Sequence, residues 1–268
     1  MKVIISHDVD HLYSRDHWFR DLCYPKLVIR ESINFCKGTI TAKEWLLRIS
    51  SLFRHNRNQI KELVDFDLSN DIHSTFFFGM AQGLGMSYKP HEAKSMIEYV
   101  KNRGLGVGVH GIAYENKQSI IKEYSSFTEL MGFQPEGIRM HYVRYNSSTF
   151  NMLNETGYLY DSTQFDKEKG GCCHPPYHVG RMWEFPLTIM DSYLPENLEQ
   201  AKKITIDKIN EAEDKEIEYI TILLHDPYFS EAYIAYKQWY IWLINYLKES
   251  GHVYVSFTEA VNYLNGTN

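Results

Sequence analysis

The chain has 268 residues and a net charge of -6, from 34 Asp and Glu against 28 Lys and Arg. That length suits one large α/β domain or two small ones, and an acidic balance without a basic stripe argues against nucleic acid as the main partner and disfavours an anionic membrane surface. Cys23, Cys36, Cys172 and Cys173 make no Cys-x-x-Cys pair, so neither a zinc finger nor a disulfide framework is expected, and no window has the apolar length of a membrane span.

The amino terminus runs from Met1-Lys2 straight into Val3-Ile4-Ile5, an unbroken aliphatic run suited to a strand buried on both faces. With no signal-type segment ahead of it, a cytoplasmic location is the expectation. The strand delivers Ser6-His7-Asp8-Val9-Asp10-His11 at its carboxyl end, the edge where α/β proteins build their sites. Asp8 and Asp10 are two apart, so on extended backbone they point to one side, and like charges that close need a cation or a shared proton.

Leu12 to about Asn70 reads as a long helical insertion, with Trp45, Leu46, Ile49, Leu52 and Phe53 on one helical face and Thr41 and Glu44 spaced as a capping box. A lid over the site and a helix packed outside the barrel both fit it. Ser74 to Phe78 is the second strand, closed by Gly79. Pro90 opens a helix with Ala93, Met96, Ile97 and Val100 on one side, and Leu105 to Val109 is a strand that delivers His110. A helix through Ile120, Tyr124, Phe127 and Leu130 precedes Gly137-Ile138, which leads into Arg139-Met140-His141-Tyr142. After a short helix over 147–156, Tyr158 to Ser162 reads as a strand with Asp161 near its end. Lys167 to Gly180 holds the string Gly170-Gly171-Cys172-Cys173-His174-Pro175-Pro176, which reads as a loop, and Met182 to Pro186 reads as a strand halted by its proline. A helix from Asn197 to about Ala212, the strand Tyr219 to Leu224 with His225 behind it, a helix over 231–250 and a last strand and short helix complete the chain.

Strands alternate with helices throughout, which gives one incomplete or distorted (β/α) barrel over residues 1–268, with the insertion at about 12–70. Collecting the strand ends brings Asp8, Asp10, His110, Arg139, His141, Asp161 and His225 to one rim. Two carboxylates and several imidazoles there suit a borderline divalent cation such as zinc, with one position open to water. The aromatic content, 15% with 20 Tyr, fits a cleft for flat polar ligands and a tyrosine-rich core equally well.

These residues in this order resemble the polysaccharide deacetylases of the NodB-homology type, carbohydrate esterase family 4-like. His7-Asp8-Val9-Asp10 is similar to a variant branch of the family's first motif, Ser74-Thr75-Phe76-Phe77-Phe78 to its Thr-Phe-Phe strand, His110 to the first histidine of its His-x-x-x-His motif, and Leu223-Leu224-His225 to its closing motif. The resemblance implies an incomplete barrel that binds one metal ion, here zinc, and removes an acetyl group from an amino sugar of a glycan. It implies Asp8 as general base held by Arg139, His225 as general acid with Asp161 or Asp191 as its orienting partner, Asp10 and His110 as metal ligands, and Tyr142 and Trp183 as substrate-binding residues. The family's second metal histidine is replaced by Tyr114. His141 is the preferred third ligand, with Tyr114, Asn116 and water as the other candidates. Hydrolysis of another carbon-nitrogen bond in a small amide, and a metal-free carbohydrate-binding module, are the competing functions.

Overall fold

The computed structural model describes residues 1–14, 18, 23–53 and 58–267. Among these residues ten strands form one sheet. At its centre is β1 (Lys2–Val9), flanked by β2 (Thr75–Gly79) and β9 (Tyr219–Leu223). Beyond β2 come β3 (Gly106–Gly111), β4 (Gly137–Met140), β5 (Tyr160–Asp161), β7 (Met182–Glu184) and β6 (Tyr177–Val179), and beyond β9 comes β8 (Leu187–Met190). The start of β1 also pairs with β10 (Val253–Tyr254). Every pairing is parallel except β6 with β7. The sheet ends at β6 and β8, which gives the incomplete (β/α) barrel.

Alternation along β1 divides the core. Val3, Ile5 and Val9 face the surrounding helices, whereas Ile4 joins Phe77, Tyr160, Phe185 and Tyr219 on the concave face, where Phe257 of the last helix plugs the amino-terminal end. Glycine makes room for these rings: a Cβ at Gly137 would fall inside the Tyr160 ring, and one at Gly108 would lie 2.8 Å from Phe77. The same parity carries Asp8 and Asp10 to the concave rim.

Among the described residues, three helices lie between β1 and β2, α1 (Cys23–Cys36), α2 (Ala42–Ser51) and α3 (Ile60–Ser69); residues 15–17, 19–22 and 54–57 of the expected insertion fall outside the described residues. The Thr41 capping box is present: the Thr41 hydroxyl accepts from the Glu44 amide at 3.2 Å, and the Glu44 carboxylate accepts from the Thr41 amide at 2.8 Å. Buried Arg48 ties the insertion down, donating to Glu31 at 2.6 Å, to Glu196 at 2.8 Å and to the Ala232 carbonyl at 2.8 Å. Helices α4 (Pro90–Asn102), α5 (Lys117–Met131), α6 (Thr149–Thr156), α7 (Leu198–Asp214) and α8 (Ile234–Glu249), together with α9 (Phe257–Asn265), complete the layer. The string 170–176 is loop and the strand Met182–Glu184 stops before Pro186, as expected. Two strands were not foreseen: Tyr177–Val179, which pairs antiparallel with β7, and β8, which follows Pro186. No described helix is long and apolar enough to cross a membrane.

A candidate metal centre at the carboxyl edge of the sheet

Asp10 leaves the end of β1, His110 lies in β3, and His141 opens a short turn, His141–Val143, that follows β4. Asp10 Oδ1 lies 3.1 Å from His110 Nε2 and 3.1 Å from His141 Nδ1, and the two ring nitrogens are 3.0 Å apart. The outer nitrogen of each ring settles what the inner one offers. His110 Nδ1–H donates to the Arg139 carbonyl at 3.0 Å, and His141 Nε2–H donates to the Leu84 carbonyl at 3.1 Å. Both inner nitrogens therefore present lone pairs, to each other and to a carboxylate oxygen. Three acceptors this close need a positive charge among them, a metal ion or a shared proton. Two imidazole nitrogens and one carboxylate oxygen are a donor set that zinc accepts, so the residues present fit a divalent ion.

The turn that places His141 is held in unusual backbone. Tyr142 (φ 58°) and Val143 (φ 47°) are successive left-handed residues, a conformation that costs a β-branched side chain roughly 1–3 kcal/mol. Thr163 braces the strand that feeds it, accepting from the Met140 amide at 2.9 Å. Buried Glu123 holds the other arm by accepting from the amides of Ile112 and Ala113 just beyond His110, and its burial pushes the carboxyl up to about 7.

Asp8 is set by Arg139. The guanidinium donates Nη1 to Asp8 Oδ1 at 3.0 Å, Nε to the Ser162 carbonyl at 2.8 Å and Nη2 to the Ser162 hydroxyl at 3.0 Å, and lies over the Phe77 ring. With every face of the guanidinium engaged, the position of the Asp8 carboxylate is fixed, and its other oxygen lies 3.8 Å from His110 Nε2.

His225 follows β9 and meets Asp191, which follows β8. Asp191 Oδ2 accepts from the His225 amide and Oδ1 accepts from ring Nδ1 at 2.7 Å, so Nε2 is left facing the cavity, 3.9 Å from Asp10 Oδ2. Burial disfavours the charged ring, but Asp191, with Asp10 and Asp8 farther off, lifts its pKa to about 10. His225 is thus an imidazolium at neutral pH.

Of the two partners considered for His225, the structure supplies Asp191. Asp161 sits elsewhere, buried against Glu184 and accepting from the Thr163 hydroxyl at 2.6 Å; burial raises its pKa to about 6 and that of Glu184 well above the usual value. Trp183 lies away from the cavity, in the concave core with Phe257, its indole N–H on Asn265 at 2.9 Å. The strand it belongs to faces the barrel floor at that position. Tyr142 does line the cavity. Tyr114 and Asn116 are engaged away from the triad: Arg144 lies over the Tyr114 ring, and Asn116 caps α5.

The cavity, about 380 Å³, is shared by Asp8, Asp10, His141 and His225. Its remaining wall includes residues that sequence reasoning missed, among them Tyr193 and Tyr228 and, from α1, Leu27 and Arg30. Arg30 and Leu27 carry no sequence signal of their own, since α1 lacks a periodic apolar stripe once buried Glu31 interrupts it.

No family model matches the sequence, and no curated protein matches it. Solved structures do. A protein from Mycobacterium smegmatis assigned as a polysaccharide deacetylase is similar over 99% of this chain and 90% of its own, with a TM-score of 0.61 and 16% identity. A CE4 family pseudoenzyme from Bacillus anthracis is similar over 97% of this chain and 65% of its own, with a TM-score of 0.54 and 11% identity. A peptidoglycan N-acetylglucosamine deacetylase is similar over 96% and 86%, with a TM-score of 0.50 and 13% identity. The fold is that of these proteins, an incomplete (β/α) barrel. Since the same barrel serves a pseudoenzyme, function has to be argued from the side chains at the rim.

Proposed function

We propose that this chain, folded as those deacetylases are, is a metal-dependent hydrolase that removes an N-acetyl group from an amino sugar of a polysaccharide or glycan precursor. The observation that carries the reading is the convergence of Asp10, His110 and His141 at the wall of the cavity that Asp10 and His141 line together with Asp8 and His225. Residues 1–268 are taken as one deacetylase-like unit, with 12–70 as its insertion.

A divalent ion, zinc by preference, would supply Lewis acidity toward the amide carbonyl and acidify water there. Asp8, fixed by Arg139, accepts the proton of the attacking water. His225, charged through Asp191, gives its Nε2 proton to the departing nitrogen, which leaves as an amine rather than as an anion. The carbon-oxygen bond forms, the carbon-nitrogen bond breaks, and acetate and a free amino sugar are the products. Tyr142, at the rim, supports sugar contact by its exposed ring.

The wall contributed by α1 favours a second reading, hydrolysis of a carbon-nitrogen bond in a small amide that fits the walled cavity. Zinc-loaded or cobalt-loaded protein separates the readings: acetate release from N-acetylated glycans supports deacetylation, turnover of small amides alone supports the second, and stoichiometric metal without any turnover counts against both.

A further inference from the structure

Helix α1 presents a second face that the proposed chemistry does not use. Among the described residues thirteen large apolar side chains are exposed, and five of them, Ile29, Ile33, Phe35, Leu46 and Phe53, fall within 25 consecutive positions of α1, α2 and their surroundings. The inner side of α1 buries Tyr24, Leu27 and Glu31. Its outer side carries an open apolar groove lined by Lys26, Ile29, Arg30, Ile33, Asn34 and Lys37, in which Ile29 is 63% exposed and Ile33 47%. The spacing puts both isoleucines on one stripe with a cation on either side. The helix has one acid, Glu31, and it points inward to Arg48 while also accepting from Arg30. Lys26 and Lys37 pair with no acid among the described residues. This face is therefore apolar and positive on a chain whose net charge is -6.

A second copy of the same face would set like charges against each other, which disfavours self-pairing. An anionic surface suits it. We propose that α1 docks on an anionic phospholipid bilayer: Ile29 and Ile33 enter the headgroup layer, and Lys26, Arg30 and Lys37 meet lipid phosphates. The negative charge elsewhere counts for little, because at physiological salt it is screened beyond ~8 Å. Arg30 lines both the outer groove and the catalytic cavity, so docking would bring the mouth of that cavity to the lipid surface.

The test reads binding alone and stands apart from any acetate release. The 268-residue protein is sedimented with vesicles of phosphatidylcholine mixed with phosphatidylglycerol and with vesicles of phosphatidylcholine alone, at low and high salt. Binding to the mixed vesicles that weakens with salt is expected. A Lys26→Ala/Lys37→Ala variant should bind roughly 25-fold more weakly, at about fivefold for each removed cation. Ile29→Ser/Ile33→Ser should also lose binding while keeping the wild-type circular dichroism and melting temperature. Equal binding to both vesicle types, no binding at low salt, or lipid-independent self-association in sedimentation velocity would overturn the proposal.

Discussion

His110 and His141 meet edge on, with Nε2 of one and Nδ1 of the other 3.0 Å apart, while the far nitrogen of each ring is spent on a main-chain carbonyl. Such a pair is repulsive until a positive charge is placed between its members. The expected outcome is that zinc raises the melting temperature: an ion at a hundredfold excess over its Kd adds about 2.7 kcal/mol, or on the order of 5–10 °C for a chain of this size. His141→Ala should lose stoichiometric zinc by elemental analysis and lose the thermal shift. A variant that retains both would remove His141 from the site.

Asp191 governs the charge on His225, and its effect has a sign. The ring's folded pKa of about 10 lies above the ordinary value, so the stability it contributes in metal-free protein is complete below about pH 6.5 and is lost as pH rises through about 10. Asp191→Asn should pull the alkaline limb of the acetate-release profile toward the ordinary histidine range and lower the rate at pH 8 by roughly 10²-fold or more. An unmoved limb would mean that another group is the acid.

Arg139 spends its three nitrogens on Asp8 and on both oxygens of Ser162. A lysine keeps the charge and loses the fork. Arg139→Lys should lower kcat on the order of a hundredfold with little change in KM, because Asp8 is no longer held for proton transfer. An equal loss in KM alone would instead make Arg139 a substrate-binding group.

On the helix side of β1, His7 Nε2 lies 2.9 Å from Asp67 and His7 Nδ1 lies 2.9 Å from the Leu224 carbonyl; Asp67 also accepts from Ser74 at 2.5 Å and Tyr240 at 2.7 Å. This clamp joins the residue before Asp8 to the residue before His225. Asp67→Ala strands three buried partners and should cost about 3–5 kcal/mol, seen as a lower urea midpoint. A loss under ~1 kcal/mol would show that the clamp is dispensable.

The strand-end residues could be read from sequence because a buried parallel strand is a contiguous aliphatic or aromatic run, and the polar residue that ends it stands out. Asp8, Asp10, His110, Arg139 and His225 all follow that signal, and the structure gathers them within hydrogen-bonding or near-contact distances. The signal fails where strands are short. β5, β6 and β7 are two or three residues long, so which residues of Met182–Glu184 face the floor depended on a register that the sequence does not fix, and Trp183 turned out to face the core. Asp191 was one of two partners considered for His225, because β8, which positions it, lies hidden behind Pro186. Helix α1 stayed illegible for a different reason: it buries a glutamate that the distant Arg48 pairs, and it exposes Ile29 and Ile33, so its apolar pattern does not mark one buried face.

Tyr142 and Val143 turn the corner after His141 in a backbone conformation that ordinary residues avoid. The barrel could rest more comfortably with a different corner, and selection for heat tolerance alone would find those substitutions early. Such a chain would be hardier, and the turn that now sets His141 beside Asp10 and His110 would no longer be the one that holds it there.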